Sequence, residues 1–271
     1  LNMKILMSND DGVYASGLLA LYEALSTIAE VMVVAPDSEQ SGCASALSIT
    51  TPLYTHQLPS GFIAVNGTPA DCIYLALNEI YSDTDFDCVI TGINSGANLG
   101  QDVLFSGTFG AALTAQLFGI PAIATSLVGG GAKSSEQECE RHYQMAASEI
   151  VKLLTDTPIL DICKNLPYHV LNVNIPDVSN ASEINGRKMT TLGHRKIARP
   201  VHHVVDPRGR DAYWLSLRKR QDILADNTDH VSSGTTMTDD QAVAEGYISL
   251  SPVRLHHTPA ATLDMLSALM L

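Results

Sequence analysis

Three polar loops carry the residue types that could do chemistry, and each follows an apolar, β-rich run. The first is Ser8-Asn9-Asp10-Asp11-Gly12. Adjacent carboxylates at a strand end suit a hard divalent cation, which takes oxygen ligands from one or two carboxylates and fills the rest of its sphere with water. The plain alternative is an Asx turn in which Asn9 or Asp11 caps the next helix. The second loop, Asp37 to Gly42, offers the Ser41 hydroxyl as a neutral oxygen. The third runs from Thr91 through Asn94, Ser95 and Asn98 to Gly100, and Ser106-Gly107-Thr108 then opens a helix. Asn94 can present an amide oxygen to a cation. Ser106, Gly107 and Thr108 put hydroxyls and unsatisfied N–H groups at a helix start, where an anion is favoured. Simple N-capping is the alternative there.

The three loops mean more together than apart. Carboxylates, a hydroxyl, an amide and an anion-binding helix start at one sheet edge are what metal-assisted phosphoester hydrolysis requires. Competing chemistries lack their residues. No G-x-G-x-x-G follows the first strand, no G-x-x-x-x-G-K-[ST] exists, and no G-x-S-x-G elbow is present. An aspartyl-phosphate route would use one of the aspartates as nucleophile, but here they are consecutive rather than one residue apart. None of the nine histidines falls in these loops. The pairs His202-His203 and His256-His257 are neighbours, and on extended chain neighbours point to opposite faces.

The elements that must position these loops follow from periodicity. Lys4–Ser8, Val31–Ala35, Cys88–Ile93, Ala122–Leu127 and His169–Ile175 read as strands. Leu18–Ala29, Pro69–Tyr81, 109–118 and Glu136–Leu154 read as the helices between them. That alternation predicts a Rossmann-like three-layer α/β body with a parallel sheet. Leu53–Gln57 and Phe62–Asn66, around Pro59-Ser60-Gly61, predict an inserted hairpin. The expected division is a catalytic body over 1–180 and, over 181–271, a projecting β arm, a returning strand at Gly246–Val253 and a terminal helix at Pro259–Met270.

Composition bounds the function. The 271 residues carry a formal charge of −13, which excludes a duplex-DNA binder that works by bulk charge. Ten Lys and Arg against two Asp between Arg187 and Arg220 leave the rest of the chain at −21. Such asymmetry suits an acidic partner surface or the steering of an anionic ligand, with Arg208 and Arg210 first. Five scattered cysteines without a C-x-x-C point to thiols of a reducing compartment. Ile5–Met7 meets Asp10 and Asp11 too soon for a secretory leader. The uncharged stretch 103–132 is cut by glycines and Pro121 into pieces too short to span a membrane. The cytoplasm is the expected compartment.

In several motifs the chain resembles the stationary-phase survival protein SurE family, cytoplasmic metal-dependent nucleoside-monophosphate phosphatases. The motifs are Ser8 to Gly12, Ala35-Pro36-Asp37 with Ser41-Gly42, Gly67 to Cys72, Gly92 to Gly100, and Ser106-Gly107-Thr108. Asp206 to Gly209, Tyr213-Trp214, Thr238-Asp239 and Ala242-Val243 add to them. Asp240 stands where the family carries an aromatic residue. The resemblance implies one Mg²⁺ or Mn²⁺ per subunit on Asp10, Asp11, Ser41 and Asn94, and phosphate on Asn98, Ser106, Gly107 and Thr108. Asp11 is then the candidate for orienting the attacking water, with Asn9 beside it. It also implies a homodimer or homotetramer, and hydrolysis of 5′- or 3′-nucleotides, with short polyphosphate as a further anion. A nucleotide- or polyanion-binding module without turnover is the non-enzymatic alternative.

Overall fold

A computed structural model describes residues 3–130, 135–194, 201–215 and 236–254. Its frame is a nine-stranded sheet in the order β3-β4-β2-β1-β5-β6-β7-β11-β8. The parallel part comprises β1 (Lys4–Ser8), β2 (Glu30–Pro36), β4 (Ile63–Val65), β5 (Cys88–Ser95), β6 (Ala122–Leu127) and β7 (His169–Ile175). The mainly parallel sheet predicted from the alternation is present. Both edges run antiparallel. β3 (Thr55–Gln57) closes the predicted hairpin on β4. At the other edge β11 (Ile248–Arg254) returns against β7 and takes β8 (Arg187–Met189) beside it.

Strands buried on both faces need apolar residues throughout. In β1, Ile5 and Met7 enter one core and Leu6 the other, all fully buried. The first core packs under α1 (Ser16–Leu25), α4 (Glu136–Asp156) and α5 (Ile159–Lys164). The second packs under α2 (Pro69–Leu75) and α3 (Gly107–Leu117), whose Ala111, Ala112 and Ala115 let it lie close to the sheet. This makes the three layers.

Two helices differ from the periodicity. α1 stops at Leu25 rather than reaching Ala29, because the Ser26 and Thr27 hydroxyls donate to the Tyr22 and Ala24 carbonyls, 2.7 Å each. The predicted helix over Pro69–Tyr81 is α helix only to Leu75 and continues as a π turn over Ala76–Ile80.

Beyond the sheet, β9 (Val201–Val205) and β10 (Asp211–Leu215) form a separate antiparallel two-stranded ribbon within the stretch where a projecting β arm is expected. A short α6 (Asp239–Ala244), absent from the sequence reading, precedes β11. The predicted helix Pro259–Met270 lies outside the described residues. Among the described residues no helix is long and apolar enough to cross a membrane. All five cysteines are free thiols.

Candidate metal and phosphate site

The chain runs outward from β1 through β2 to β4, then returns to place β5 on the other side of β1. Loops leaving β1 and β5 therefore diverge, and the crevice between them is where open α/β sheets bind ligands. The first loop is closed by Asn9, whose Nδ2 donates to the Gly12 carbonyl at 2.9 Å. Its Oδ1 is buried without a hydrogen-bond partner, an acceptor held ready for a cation or water. The Asp10 carbonyl accepts the Gln40 N–H at 2.7 Å, which draws the second loop onto the first.

The Asp10 side chain is 4% exposed. Its Oδ1 accepts the Thr108 hydroxyl, and the Gly107 and Thr108 N–H groups also face the carboxylate. Burial nonetheless raises its pKa above the ordinary range. This close approach requires glycine at 107, since a Cβ there would lie 2.8 Å from both Asp10 Cβ and Cys43 Sγ. The Cys43 thiol is pushed up to about 11, first by burial and then by the Asp10 charge, so it is a protonated wall rather than a nucleophile. Asp11 Oδ2 accepts the Ser95 N–H at 2.9 Å. Burial, with Asp10 and Glu39 adding like charge, pushes its carboxyl up to about 6.

The other predicted ligands are brought to the same place. Asn94 Nδ2 donates to the Gly96 carbonyl at 2.9 Å, which leaves its Oδ1 3.4 Å from the Thr108 hydroxyl. Ser41 donates its hydroxyl to Glu39 at 2.8 Å and so turns lone pairs outward. Asp10, Ser41, Asn94, Asn98 and Ser106 line one cleft of about 330 Å³, with Ser95, Asp102 and Phe105. Ser106 caps α3 by accepting the Phe109 N–H at 3.0 Å. Thr108 is fully buried, its hydroxyl on Asp10 rather than in the cleft. Arg208 and Arg210 stand on the separate ribbon, not among the cleft residues. There Arg210 is bound by Asp206 at 2.7 Å. A hollow of about 370 Å³ between α1 and the β3–β4 hairpin is walled by Val13, Tyr14, Leu19, Tyr22 and Phe62, with Glu23 as its charged group. Its lining is largely apolar, and Glu23 would repel a phosphate.

Asp10, Ser41 and Asn94 in the cleft, with Asp11 and the orphaned Asn9 Oδ1 on the same loop as Asp10, offer oxygen ligands only, the chemistry that suits a hard divalent cation. Among the described residues no three His, Cys, Asp or Glu side chains gather as a metal cluster.

Several organising residues escaped the sequence reading. Asp71 accepts the Ser48 N–H and hydroxyl (2.8 and 2.7 Å) and the Thr68 N–H (2.9 Å), stitching the segment after Ser41 to the start of α2. Its signal was the capping box Thr68-Pro69-Ala70-Asp71. Ser95 serves Asp11 through its N–H and the Gly130 carbonyl through its hydroxyl. Glu39 orients Ser41. Ser126, Asn172 and Asn174 hold Asn98 from below.

The sequence profile of the survival protein SurE family matches residues 5–199. The chain is 97% identical over 269 residues to a protein of Psychrobacter cryohalolentis named 5′-nucleotidase SurE, covering 99% of this chain and all of that one. A protein of the same name from Acinetobacter baylyi is 44% identical over 260 residues, 94% of this chain and 95% of its own. Among solved structures, the SurE protein from Aquifex aeolicus superposes with a TM-score of 0.75 at 34% identity, covering 99% of this chain and 100% of that one. On sequence and fold alike, the chain belongs to the survival protein SurE family.

Proposed function

We propose that this chain is a metal-dependent phosphomonoesterase that hydrolyses nucleoside monophosphates to nucleoside and inorganic phosphate. The observation that carries the reading is the junction at Asp10, where the end of β1, the amide of Asn94 and the start of α3 meet in one cleft. The relatives' name, 5′-nucleotidase, supports the substrate class.

Asp10, Asp11, Ser41 and Asn94 would hold one Mg²⁺ or Mn²⁺. A cation there would offset charge on the phosphoryl oxygens and make an attacking water more acidic. The remaining work falls to the chain. Thr108 fixes Asp10, and Asp11, held through one oxygen by the Ser95 N–H, keeps the other to orient the attacking water with Asn9. Asn98 and Ser106 present an amide and a hydroxyl to the phosphoryl oxygens, while Gly107 and Thr108, whose N–H groups and hydroxyl are turned onto Asp10, support them from the start of α3. The water oxygen bonds to phosphorus, and the ester oxygen leaves with a proton as the nucleoside hydroxyl.

The reading extends to the assembly. A lone two-stranded ribbon is marginal in water, and Val205, Tyr213, Trp214 and Leu215 stand exposed on this one. These features support the ribbon, within residues 181–271, as the arm of a cytoplasmic homodimer or homotetramer, while β8 and β11 of the same stretch complete the sheet of the 1–180 catalytic body. Arg210 is committed to the turn by Asp206, so steering of anions, short polyphosphate included, rests on Arg208.

Phosphate release from a panel of 5′- and 3′-nucleotides and polyphosphate, with and without Mn²⁺ or Mg²⁺, tests the reading. Release that needs the cation and falls by on the order of 10²-fold or more in Asp10→Asn is the expected result. Undiminished release after chelation overturns the metal role. Tight nucleotide binding without release under any cation overturns the enzyme and favours the binding module.

A further inference from the structure

Residues 191–193 and 237–239, far apart in sequence, meet at a junction beside the sheet. The Thr191 N–H donates to the Met237 carbonyl at 3.2 Å, and the Asp239 N–H donates to the Thr191 carbonyl at 2.9 Å. Asp239 is fully buried, and its carboxylate fastens this junction to something else. Oδ1 accepts the N–H of Gly193 at 2.8 Å and that of Asp240 at 2.9 Å. Oδ2 accepts the N–H of Gly100 at 2.8 Å, across 139 residues of sequence.

Gly100 opens the turn that leads from Asn98 to Ser106. The two backbones touch directly. A Cβ on Gly100 would lie 2.3 Å from the Gly193 carbonyl oxygen, and the φ of +58° is one that L side chains rarely adopt. From beneath, Asn98 is already pinned. Its N–H donates to Asn174 Oδ1 at 2.9 Å, and its carbonyl accepts Nδ2 of Asn172 and Asn174 at 2.9 and 3.1 Å. Asp239 supplies the clamp from the other side. An amide cannot replace it, because both carboxylate oxygens accept N–H groups and asparagine offers one acceptor.

We infer that Asp239 is a positioning residue that ties Gly100, and through it the Asn98–Ser106 phosphate loop, to the junction between Gly193 and Met237. The inference rests on the reading of that loop given above. It predicts that breaking the clamp loosens the grip on a phosphoryl group while leaving the cation's carboxylates, which stand on the loop after β1, in place.

The experiment uses full-length protein, Asp239→Asn and Gly100→Ala, with inorganic phosphate as the probe. Phosphate binding to the Mn²⁺-loaded proteins is measured by calorimetry, and Mn²⁺ affinity separately by electron paramagnetic resonance. Each variant should weaken phosphate binding about tenfold, the scale of one buried charge-assisted hydrogen bond, with Mn²⁺ affinity changed less than about twofold. A merely structural residue would lower both affinities together. Parallel loss of both, or unchanged phosphate affinity in the folded variants, overturns the inference. Gly100→Ala breaks the contact from the opposite side and decides the matter where Asp239→Asn does not fold. The readout is separable from the proposed activity. Wild-type protein that binds phosphate yet releases none from nucleotides overturns the activity and leaves the clamp standing, whereas wild type that binds no phosphate overturns the clamp.

Discussion

The Thr108 hydroxyl donates to Asp10 Oδ1 across 98 residues of sequence, and so joins the start of α3 to the end of β1. Around this bond the Gly107 and Thr108 N–H groups face the same carboxylate. The helix start that the sequence offered to a phosphate thus also holds a metal ligand. Cation and phosphate share one structural foundation, and a change there is felt by both.

Thr108→Val keeps the volume and removes the hydroxyl. A partner behind a metal ligand is worth about 10–100-fold in metal affinity or activity. We expect Mn²⁺ affinity to fall by at least about tenfold and kcat/KM to fall with it. Mn²⁺ titration followed by electron paramagnetic resonance checks this. Unaltered metal affinity with weaker inhibition by free phosphate would move the hydroxyl's role from Asp10 to the phosphoryl group.

Gly107→Ala tests the closeness of the same contact. The added methyl would sit 2.8 Å from Asp10 Cβ and Cys43 Sγ, so β1 and α3 must part. Overpacking of this kind costs about 1–3 kcal/mol. A displacement near 1 Å at a reacting centre costs on the order of 10²-fold in rate. Thermal unfolding and kcat, measured on the same preparation, should both fall. Full activity would show that the site tolerates a separation the geometry forbids.

How much of this was legible in the sequence depends on the range of the contacts. β1, β5 and β6 are apolar runs ending in polar loops, and their order alone put Asp10, Asp11 and Asn94 at one edge. The Thr68–Asp71 capping box is local too, yet its second use, holding Ser48, comes from 23 residues away. Asp239 carried no local signal beyond its place beside Thr238. Its partners Gly193 and Gly100 lie 46 and 139 residues distant, and only tertiary structure brings backbone N–H groups to a carboxylate over such spans. α1 was read too long for the opposite reason, because the Ser26 and Thr27 hydroxyls compete locally with the helix ladder.

Asp239 also makes stability depend on pH. Burial raises its pKa above the ordinary carboxylate value of about 3.9, against the pull of the Gly100 and Gly193 N–H groups, and the Asp240 charge raises it further. The native state therefore binds this proton more tightly than the unfolded chain does. The contribution is fully present below about pH 4 and is lost as pH rises through the folded value. The Tm advantage of wild type over Asp239→Asn should accordingly shrink as pH rises from about 4 toward neutrality. A difference that widens over this range would mean that the backbone N–H donors outweigh burial.

The last prediction separates two uses of the β9–β10 ribbon. Trp214 and Leu215 are 70% and 83% exposed, while Arg208 and Arg210 flank its turn, with Arg210 bound to Asp206. An interface needs the apolar side chains, and steering needs the charge. Trp214→Ala should lower the assembly mass measured by light scattering, because large aromatics dominate contact energy where they are buried between subunits. Arg208→Ala should leave that mass unchanged and reduce kcat/KM on short polyphosphate more than on a mononucleotide. The loss should shrink as salt rises, since the Debye length is about 8 Å at physiological ionic strength. Arg210→Ala should act mainly on the turn, where Asp206 accepts the Arg208 and Arg210 N–H groups at 2.8 and 2.9 Å as well as the guanidinium. If Arg208→Ala dissociates the assembly and shows no preference between the two anions, the charge belongs to the interface and steering is excluded.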